Sequence, residues 1–360
     1  MRFAGKLKAY FLRFLTHKKT NVFDIKNTRN ILFLRYDRIG DMVITTPVFR
    51  ELKQKYPKIN ISVLASSINQ NVLQNNPYVD KVYLNYKNNL FKDFPTLLKL
   101  RSNKYDVCVE FDHSVIPHLI VRLKIIKPKK IISVFKEGRY GVKGTELELY
   151  DYYTEKTEGS HFQEIWLNTL NPFGVKPKSS QYELFCSADQ KKKADDYLSL
   201  FEKKMLVGIN IEGAIQGKRI QSNKLEEICQ GIYHINNNVQ IILLSSPKKH
   251  KNILQFCQTL NLSYVIASYK TESILDVAAL IEKLDLIISP DTSIVHLASA
   301  FNRPIISIHE NNEDSYQLFA PKSEINRTVF AKYQKGIDGF SVAHLLKYCD
   351  ELMKLIEIKH

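Results

Sequence analysis

The chain has 360 residues, room for two domains of ordinary size, and at 44% hydrophobic it can bury sizeable cores, which argues against disorder. Its 52 Lys and Arg against 37 Asp and Glu leave a net charge of +15, a surplus that favours anionic partners such as phosphates, nucleic acid or an acidic membrane surface without choosing among them. The five cysteines (Cys108, Cys186, Cys229, Cys257, Cys349) have no zinc-type spacing and suit reduced thiols, and no apolar run of about 18 residues offers a transmembrane helix.

Residues 1–24 stand apart. Phe3, Leu7, Tyr10, Phe11, Phe14 and Leu15 recur at helical spacing, and Lys6, Lys8 and Arg13 interrupt the run too often for a signal peptide. This reads as a basic amphipathic helix, suited either to an anionic bilayer or to the protein's own body. Strands are expected at 30–35 (NILFLR), 59–65, 81–84, 106–111 and 130–134, with helical stretches near 47–56, 93–102 and 114–126, so that 25–172 forms one Rossmann-like domain. The rhythm breaks at 171–182 (NPFGVKPKSSQY), a linker by its Pro, Gly and Ser content. It resumes over 183–340 with strands at 206–210, 239–244, 285–289 and 304–308 and helices at 189–202, 222–236, 248–260 and 272–283. A last amphipathic helix, about 341–357, occupies the terminal segment 341–360. Nearly continuous apolar strands alternating with helices predict an α/β protein with parallel sheets in two halves facing a central cleft. Ligands in such sheets bind beyond the carboxyl ends of strands.

Three loops there carry candidate chemistry. After the first strand comes Tyr36-Asp37-Arg38-Ile39-Gly40-Asp41. Gly40 permits a tight turn and close approach of a ligand. Asp41 is either a proton acceptor for an attacking hydroxyl or a helix N-cap. Thr46-Pro47 is a rival helix start that would free Asp41 from capping. In the second half, Pro290-Asp291-Thr292-Ser293 opens a helix with His296 near its start, an anion site by its N–H groups and dipole, or a plain cap above a buried His. The loop 213–219 (GAIQGKR) delivers Lys218 and Arg219 to a diphosphate, but its spacing fails the P-loop pattern, and no GxGxxG occurs.

Together these segments resemble glycosyltransferase family nine, the ADP-heptose:lipopolysaccharide heptosyltransferases. The resemblance rests on LRYDRIGDMVITTPVFRELKQKYP, on Asn75-Asn76-Pro77-Tyr78-Val79-Asp80-Lys81-Val82, on Tyr105-Asp106, and on Asp291, Thr292, His296, Leu297, Ala298, Ala300 and Pro304 in order. It covers roughly 30–330. It implies a GT-B fold and an inverting, metal-independent transfer of heptose from ADP-heptose to the Kdo or heptose of the lipopolysaccharide core, at the cytoplasmic face of a Gram-negative inner membrane, with no cofactor beyond the nucleotide-sugar. By resemblance, Asp41 matches the general base, Lys218 a lysine on the donor diphosphate, and Asp291, Thr292 and His296 the nucleotide-side motif. Ser293 stands where the family usually has Gly, 309–312 (HENN) replaces its Gly-Pro-Thr, and 245–249 lacks an acidic residue. Asp112, His113, Lys136, Arg139 and Lys143 follow first-half strands and are candidates for the acceptor, or form an ordinary solvated face. Two other readings stay open: the same fold with a different nucleotide-sugar, such as an N-acetylhexosamine donor, and a nucleic-acid-binding protein, although no recognisable RNA or DNA module is present.

Overall fold

Apolar runs too short to form stable helices alone pair in parallel, and the amphipathic stretches between them cover both faces of the resulting sheets. The computed structural model describes residues 9–12, 14, 16, 27–86, 90–139, 142–155, 159–201, 203–213 and 216–359. The chain divides into two units, Met1–Ser180 and Gln181–His360. In the first, β1 (Asn30–Leu34), α1 (Ile39–Lys55), β2 (Asn60–Ser66), β3 (Lys81–Asn85), α2 (Leu90–Ser102), β4 (Val107–Glu110), α3 (Pro117–Ile126), β5 (Lys130–Ser133), β6 (Tyr152–Tyr153) and α4 (Phe162–Leu167) follow in order. The sheet runs β3-β2-β1-β4-β5-β6, all parallel.

The second unit repeats the plan. It contains α5 (Ala188–Leu198), β7 (Met205–Asn210), α6 (Ser222–Ile235), β8 (Val239–Leu244), α7 (His250–Leu260), β9 (Val265–Ala267), α8 (Ile274–Ile281), β10 (Leu286–Pro290), α9 (Ser293–Ala300), β11 (Ile305–His309), α10 (Glu313–Phe319), β12 (Asn326–Phe330) and α11 (Val342–Lys359). Its sheet order is β12-β11-β10-β7-β8-β9, again parallel. The terminal helix α11 is part of this unit's core through Leu345, Cys349, Leu352, Met353 and Ile356. The five cysteines are unpaired. In each sheet the strand order reverses once, between β1 and β4 and between β7 and β10. Loops leaving the two strands diverge there, which opens a crevice at the carboxyl edge.

The strands expected from sequence are present. β6, β9, β12, α4 and α10 were not anticipated, because two to seven residues carry too little periodicity to register. One expectation is overturned. Thr46-Pro47 does not start a helix: α1 begins at Ile39 and contains Pro47. Proline cannot donate to the Val43 carbonyl one turn back, and the Thr46 hydroxyl donates to that carbonyl instead, at 2.8 Å.

Most of the N-terminal segment lies outside the described residues, Phe3, Leu7 and Leu15 among them. Ala9 and Leu12 belong to the first unit's core, shared with Leu97 and Leu100 of α2 and Leu119 and Leu123 of α3. Tyr10, Phe11 and Phe14 are exposed. The aromatic side therefore faces outward, and the smaller side docks on the body. No helix among the described residues is long and apolar enough to cross a membrane.

The expected linker is half strap. Val175 is buried, the Tyr56 hydroxyl donates to the Phe173 carbonyl at 2.7 Å, and the Glu51 carboxylate accepts the Lys178 N–H at 2.7 Å. Glu51 also pairs with Arg50 at 3.0 Å, and Arg50 donates to the Ser179 carbonyl at 2.5 Å. Both side chains are buried. Glu51→Ala should lower the stability of the first unit by about 3–5 kcal/mol, because it strands a buried guanidinium. Urea unfolding read by the fluorescence of Trp166, the chain's single tryptophan, measures this, and an unchanged midpoint would show that Glu51 does not anchor the strap.

Candidate functional site

The first unit's site is built around Arg35, the residue that follows β1. Its guanidinium is buried, stacked 3.7 Å from the Trp166 ring centre on α4 and 5.3 Å from that of Phe111 beyond β4. It donates to Asp37 at 3.1 Å and lies 3.7 Å from Asp41 Oδ1. Its Nε and Nη2 have no hydrogen-bond partner among the described residues. Asn69, fully buried, ties this loop down by donating to the Arg35 carbonyl at 3.1 Å while accepting the Ser66 N–H at 2.9 Å.

Asp41 occupies the third position of α1, where its Oδ2 accepts the Arg38 N–H at 3.2 Å. Asp41 is therefore not the N-cap, a position held by Arg38; from the third helical position one of its carboxylate oxygens reaches back to the N-cap N–H, and the other turns toward Arg35. Gly40 is not a turn glycine. It is buried in the first helical turn, and among the described residues the glycines with positive φ are Gly159, Gly174 and Gly336.

Across the switch point, β4 delivers Asp112 and His113. Burial and the nearby charges of Asp37 and Glu110 push the Asp112 carboxyl up to about 7, against the pull of Lys136 and Arg35. The expectation that Lys136 meets an acceptor fails. Its ammonium is fully buried, paired with Glu110 and donating to the Asp112 carbonyl, 5.2 Å from the Tyr150 ring centre. A desolvated ammonium stays where its carboxylate is. His113 packs on Phe162 at 4.4 Å between ring centres and accepts the Trp166 N–H at 3.3 Å. Arg139 is exposed and forms a short antiparallel bridge with Val142; Lys143 is exposed as well.

The second unit's site forms where β7 and β10 end. Asn210 closes β7 and its side-chain amide donates to Ser289 at 3.0 Å, Thr292 at 3.1 Å and the Glu212 carbonyl at 3.1 Å. Thr292 is the N-cap of α9, accepting the Ile294 N–H at 3.3 Å, and Ser293 is the first helical residue, half-buried. Lys218 bridges Asp291 at 3.1 Å and Glu310 at 3.2 Å. Glu310 in turn accepts the Gly336 N–H at 2.6 Å. Gly213 must be glycine, since a Cβ there would collide with the Lys218 carbonyl. Arg219 is exposed.

Burial lowers the Lys218 ammonium, and the carboxylates of Asp291 and Glu310 more than reverse this, so it stays charged. Burial raises Asp291, but His309, Lys218 and His296 outweigh it and the carboxyl ends below its ordinary range. Burial also holds His309 down, to about 4. At neutral pH His309 is therefore uncharged, while Lys218 faces Asp291 as a cation. His296 is buried, its ring 6.4 Å from that of Tyr182 and 6.3 Å from that of Phe319. No group of three or more His, Cys, Asp or Glu suited to a metal ion occurs among the described residues.

Sequence reasoning singled out Asp41, Lys218 and Asp291–Ser293, and the structure places them in the loops and helix starts that follow β1, β7 and β10. It missed Arg35, Asn69, Trp166, Asn210 and Glu310. A strand-end position alone could have flagged Arg35, Asn210 and Glu310.

The chain as a whole is similar to known proteins. The family model of glycosyltransferase family 9 (heptosyltransferase) spans residues 97–338. Lipopolysaccharide heptosyltransferase 3 of Escherichia coli is 25% identical over 284 residues, 75% of this chain and 80% of that protein. The glycosyl transferase family 9 protein from Veillonella parvula superposes with a TM-score of 0.75 at 16% identity, covering 93% of this chain and 99% of that one. The E. coli heptosyltransferase WaaC with ADP superposes with a TM-score of 0.70 at 13% identity, covering 90% and 99%. The fold is GT-B, and the chain belongs to glycosyltransferase family 9, the heptosyltransferase family, and is a glycosyltransferase.

Proposed function

We propose that this glycosyltransferase moves heptose from ADP-heptose to the Kdo or heptose of a lipopolysaccharide inner core, inverting the anomeric centre without a metal ion. The observation that carries the reading is Lys218, held with Asp291 beside the capped start of α9 at the β7/β10 switch point. WaaC, solved with ADP and with ADP-2-deoxy-2-fluoro heptose, shares the fold, and the E. coli relative is a lipopolysaccharide heptosyltransferase; both support this donor and acceptor class.

The chemistry is one displacement. An acceptor hydroxyl attacks the anomeric carbon as the ADP oxygen leaves, and Asp41 Oδ1, 3.7 Å from Arg35 and outside the bond to the Arg38 N–H, takes the proton. Negative charge grows on the departing diphosphate. Lys218 and the N–H dipoles at Thr292 and Ser293 stabilise it, and loss of one such contact costs about 3 kcal/mol of barrier, roughly a hundredfold. Thr292 serves mainly as the cap, because Asn210 and the Ile294 N–H already engage its hydroxyl.

Lys218 is shared by two carboxylates before any anion arrives. Glu310 stands where the family resemblance has Gly-Pro-Thr, and Ser293 stands in place of Gly. These two positions favour one second reading, a nucleotide-sugar other than ADP-heptose.

The lipid end of such an acceptor lies in a bilayer. The outward Tyr10, Phe11 and Phe14, together with Phe91, Phe94 and Leu98 on α2, are exposed. Lys92, Lys99 and Arg101 accompany them on α2, whose only acid, Asp93, is buried against Arg122. Apolar side chains among basic ones suit an anionic leaflet, here the cytoplasmic face of the inner membrane.

Asp41→Asn should abolish ADP release from ADP-heptose in the presence of a truncated core acceptor and leave donor affinity nearly intact; turnover within tenfold of wild type would remove Asp41 as the base. In a thermal-shift panel of ADP-, UDP- and GDP-sugars, ADP compounds should stabilise the protein, and stabilisation by UDP compounds alone would replace the donor assignment. Glu310→Gln should tighten ADP binding roughly two- to fivefold by titration calorimetry, the range for a partly exposed ion pair; weaker binding would mean that Glu310 helps to hold the donor. Sedimentation with vesicles should show salt-sensitive binding to anionic but not neutral lipid, reduced in Phe11→Ser/Phe14→Ser, and failure to bind anionic vesicles at low salt would exclude the membrane contact.

A further inference from the structure

The segment that follows β12 grips the loop that carries Lys218. Lys218 ends a single turn, Gln216–Lys218, between β7 and α6. The carbonyl of the preceding Gly217 accepts the Ile337 N–H at 2.8 Å. The Lys218 ammonium lies 3.2 Å from one carboxylate oxygen of Glu310, and the other oxygen of Glu310 accepts the Gly336 N–H at 2.6 Å. Two successive amides, those of Gly336 and Ile337, therefore hold one turn twice: by its backbone directly, and by its lysine through Glu310. The dihedrals of Gly336 decide how these two N–H groups are aimed, and its φ of +80° is left-handed.

Position 336 calls for glycine on two counts. A left-handed backbone strains a residue that carries a Cβ, and a Cβ there would stand 3.0 Å from the Gly217 carbonyl oxygen. The grip is itself anchored. Ile337 and Phe340 belong to the second unit's core. Lys224 of α6 donates to the Phe340 carbonyl at 2.8 Å and lies 4.2 Å from that ring's centre, and Gln221 donates to Asp338 at 3.0 Å. On the other side, the Tyr333 carbonyl accepts the N–H of Asn311, the residue after Glu310, at 3.0 Å. With both sides tied down, the two amides hold the turn from a fixed place.

We propose that Gly336 and Ile337 are positioning residues for the transfer reaction, acting through Lys218. They fix the main chain beside Lys218, so that its ammonium leaves Asp291 and Glu310 for an arriving diphosphate without the loop following it. The inference rests on the donor role of Lys218 given above. A cation that stabilises charge on a leaving group is most effective when little rearrangement is left to make as the bond breaks, and a clamped main chain provides that. Glu310, aligned by the Gly336 N–H, keeps the ammonium in the site until the anion takes it over.

The test is a double-mutant cycle on the full chain: wild type, Gly336→Ala, Lys218→Met and the double variant, titrated with ADP. Gly336→Ala should bind ADP about tenfold more weakly, the effect of displacing one hydrogen bond to a charged group. Its kcat should fall by a larger factor than its donor KM rises, because Lys218 acts most on charge that grows in the transition state. In the Lys218→Met background the same substitution should change ADP affinity less than twofold, while its effect on thermal stability is equal in both backgrounds. An equal loss of affinity with and without the lysine would make Gly336 merely structural and overturn the assignment. So would a Gly336→Ala protein whose ADP affinity stays within twofold of wild type. A crystal of the wild-type protein with ADP gives a check that needs no variant. The Ile337 N–H should still reach the Gly217 carbonyl while the Lys218 ammonium sits on the diphosphate, and a broken bond there would overturn the assignment. Wild-type protein that binds no ADP would instead overturn the donor reading, and this one with it.

Discussion

Parallel pairing is the constraint on which the molecule depends. A sheet with every strand running one way has to send the chain back over its faces, and the returning helices seal those faces with apolar side chains. Backbone and side-chain polar groups then have one common outlet, the edge where the strands end. Both units obey this. The strands supply the cores, and Arg35, Ser66, Asn85, Asp112, Asn210, Asp291 and Glu310 all lie at or just beyond strand carboxyl ends. The strand-order reversals decide which of those ends have room beside them.

At these edges the cations are not idle. Arg35 faces Asp37 and Asp41, Lys218 faces Asp291 and Glu310, and Lys136 is enclosed with Glu110. A charge moved out of water must be matched nearby, and the degree of matching sorts these residues by role. Lys136 is sealed in and keeps Glu110 and the Asp112 carbonyl in place. Lys218 retains some exposure and two competing partners, which suits a cation that exchanges one anion for another. Arg35 retains unpaired N–H groups against an aromatic wall, which fixes its plane and with it the direction of the Asp41 neighbourhood.

The fold was legible because it is written in repetition. Nine apolar runs, most of them followed by a helical stretch, gave nine helical stretches at close to their observed places and all but the shortest or half-exposed strands. Single residues were singled out when the resemblance or a strand end marked them, as with Asp41, Lys218 and Asp291. Others depended on distant chain segments. Arg35 acquires meaning only when Trp166, well over a hundred residues later, folds beneath it, and the fate of Lys136 turns on the burial of Glu110. The Thr46-Pro47 misreading is of a different kind. Local preference favours a helix start there, but packing carries the helix straight through, and a side-chain hydroxyl repairs the missing bond.

That continuity through Pro47 has a mechanical consequence. Asp41 and Glu51 are carried on one rod, about 15 Å apart along its axis by helix geometry. One end bears the carboxylate beside Arg35, and the other grips the strap that leads out of the first unit. The strap's anchor and the carboxylate beside Arg35 are thus positioned by one and the same continuous helix.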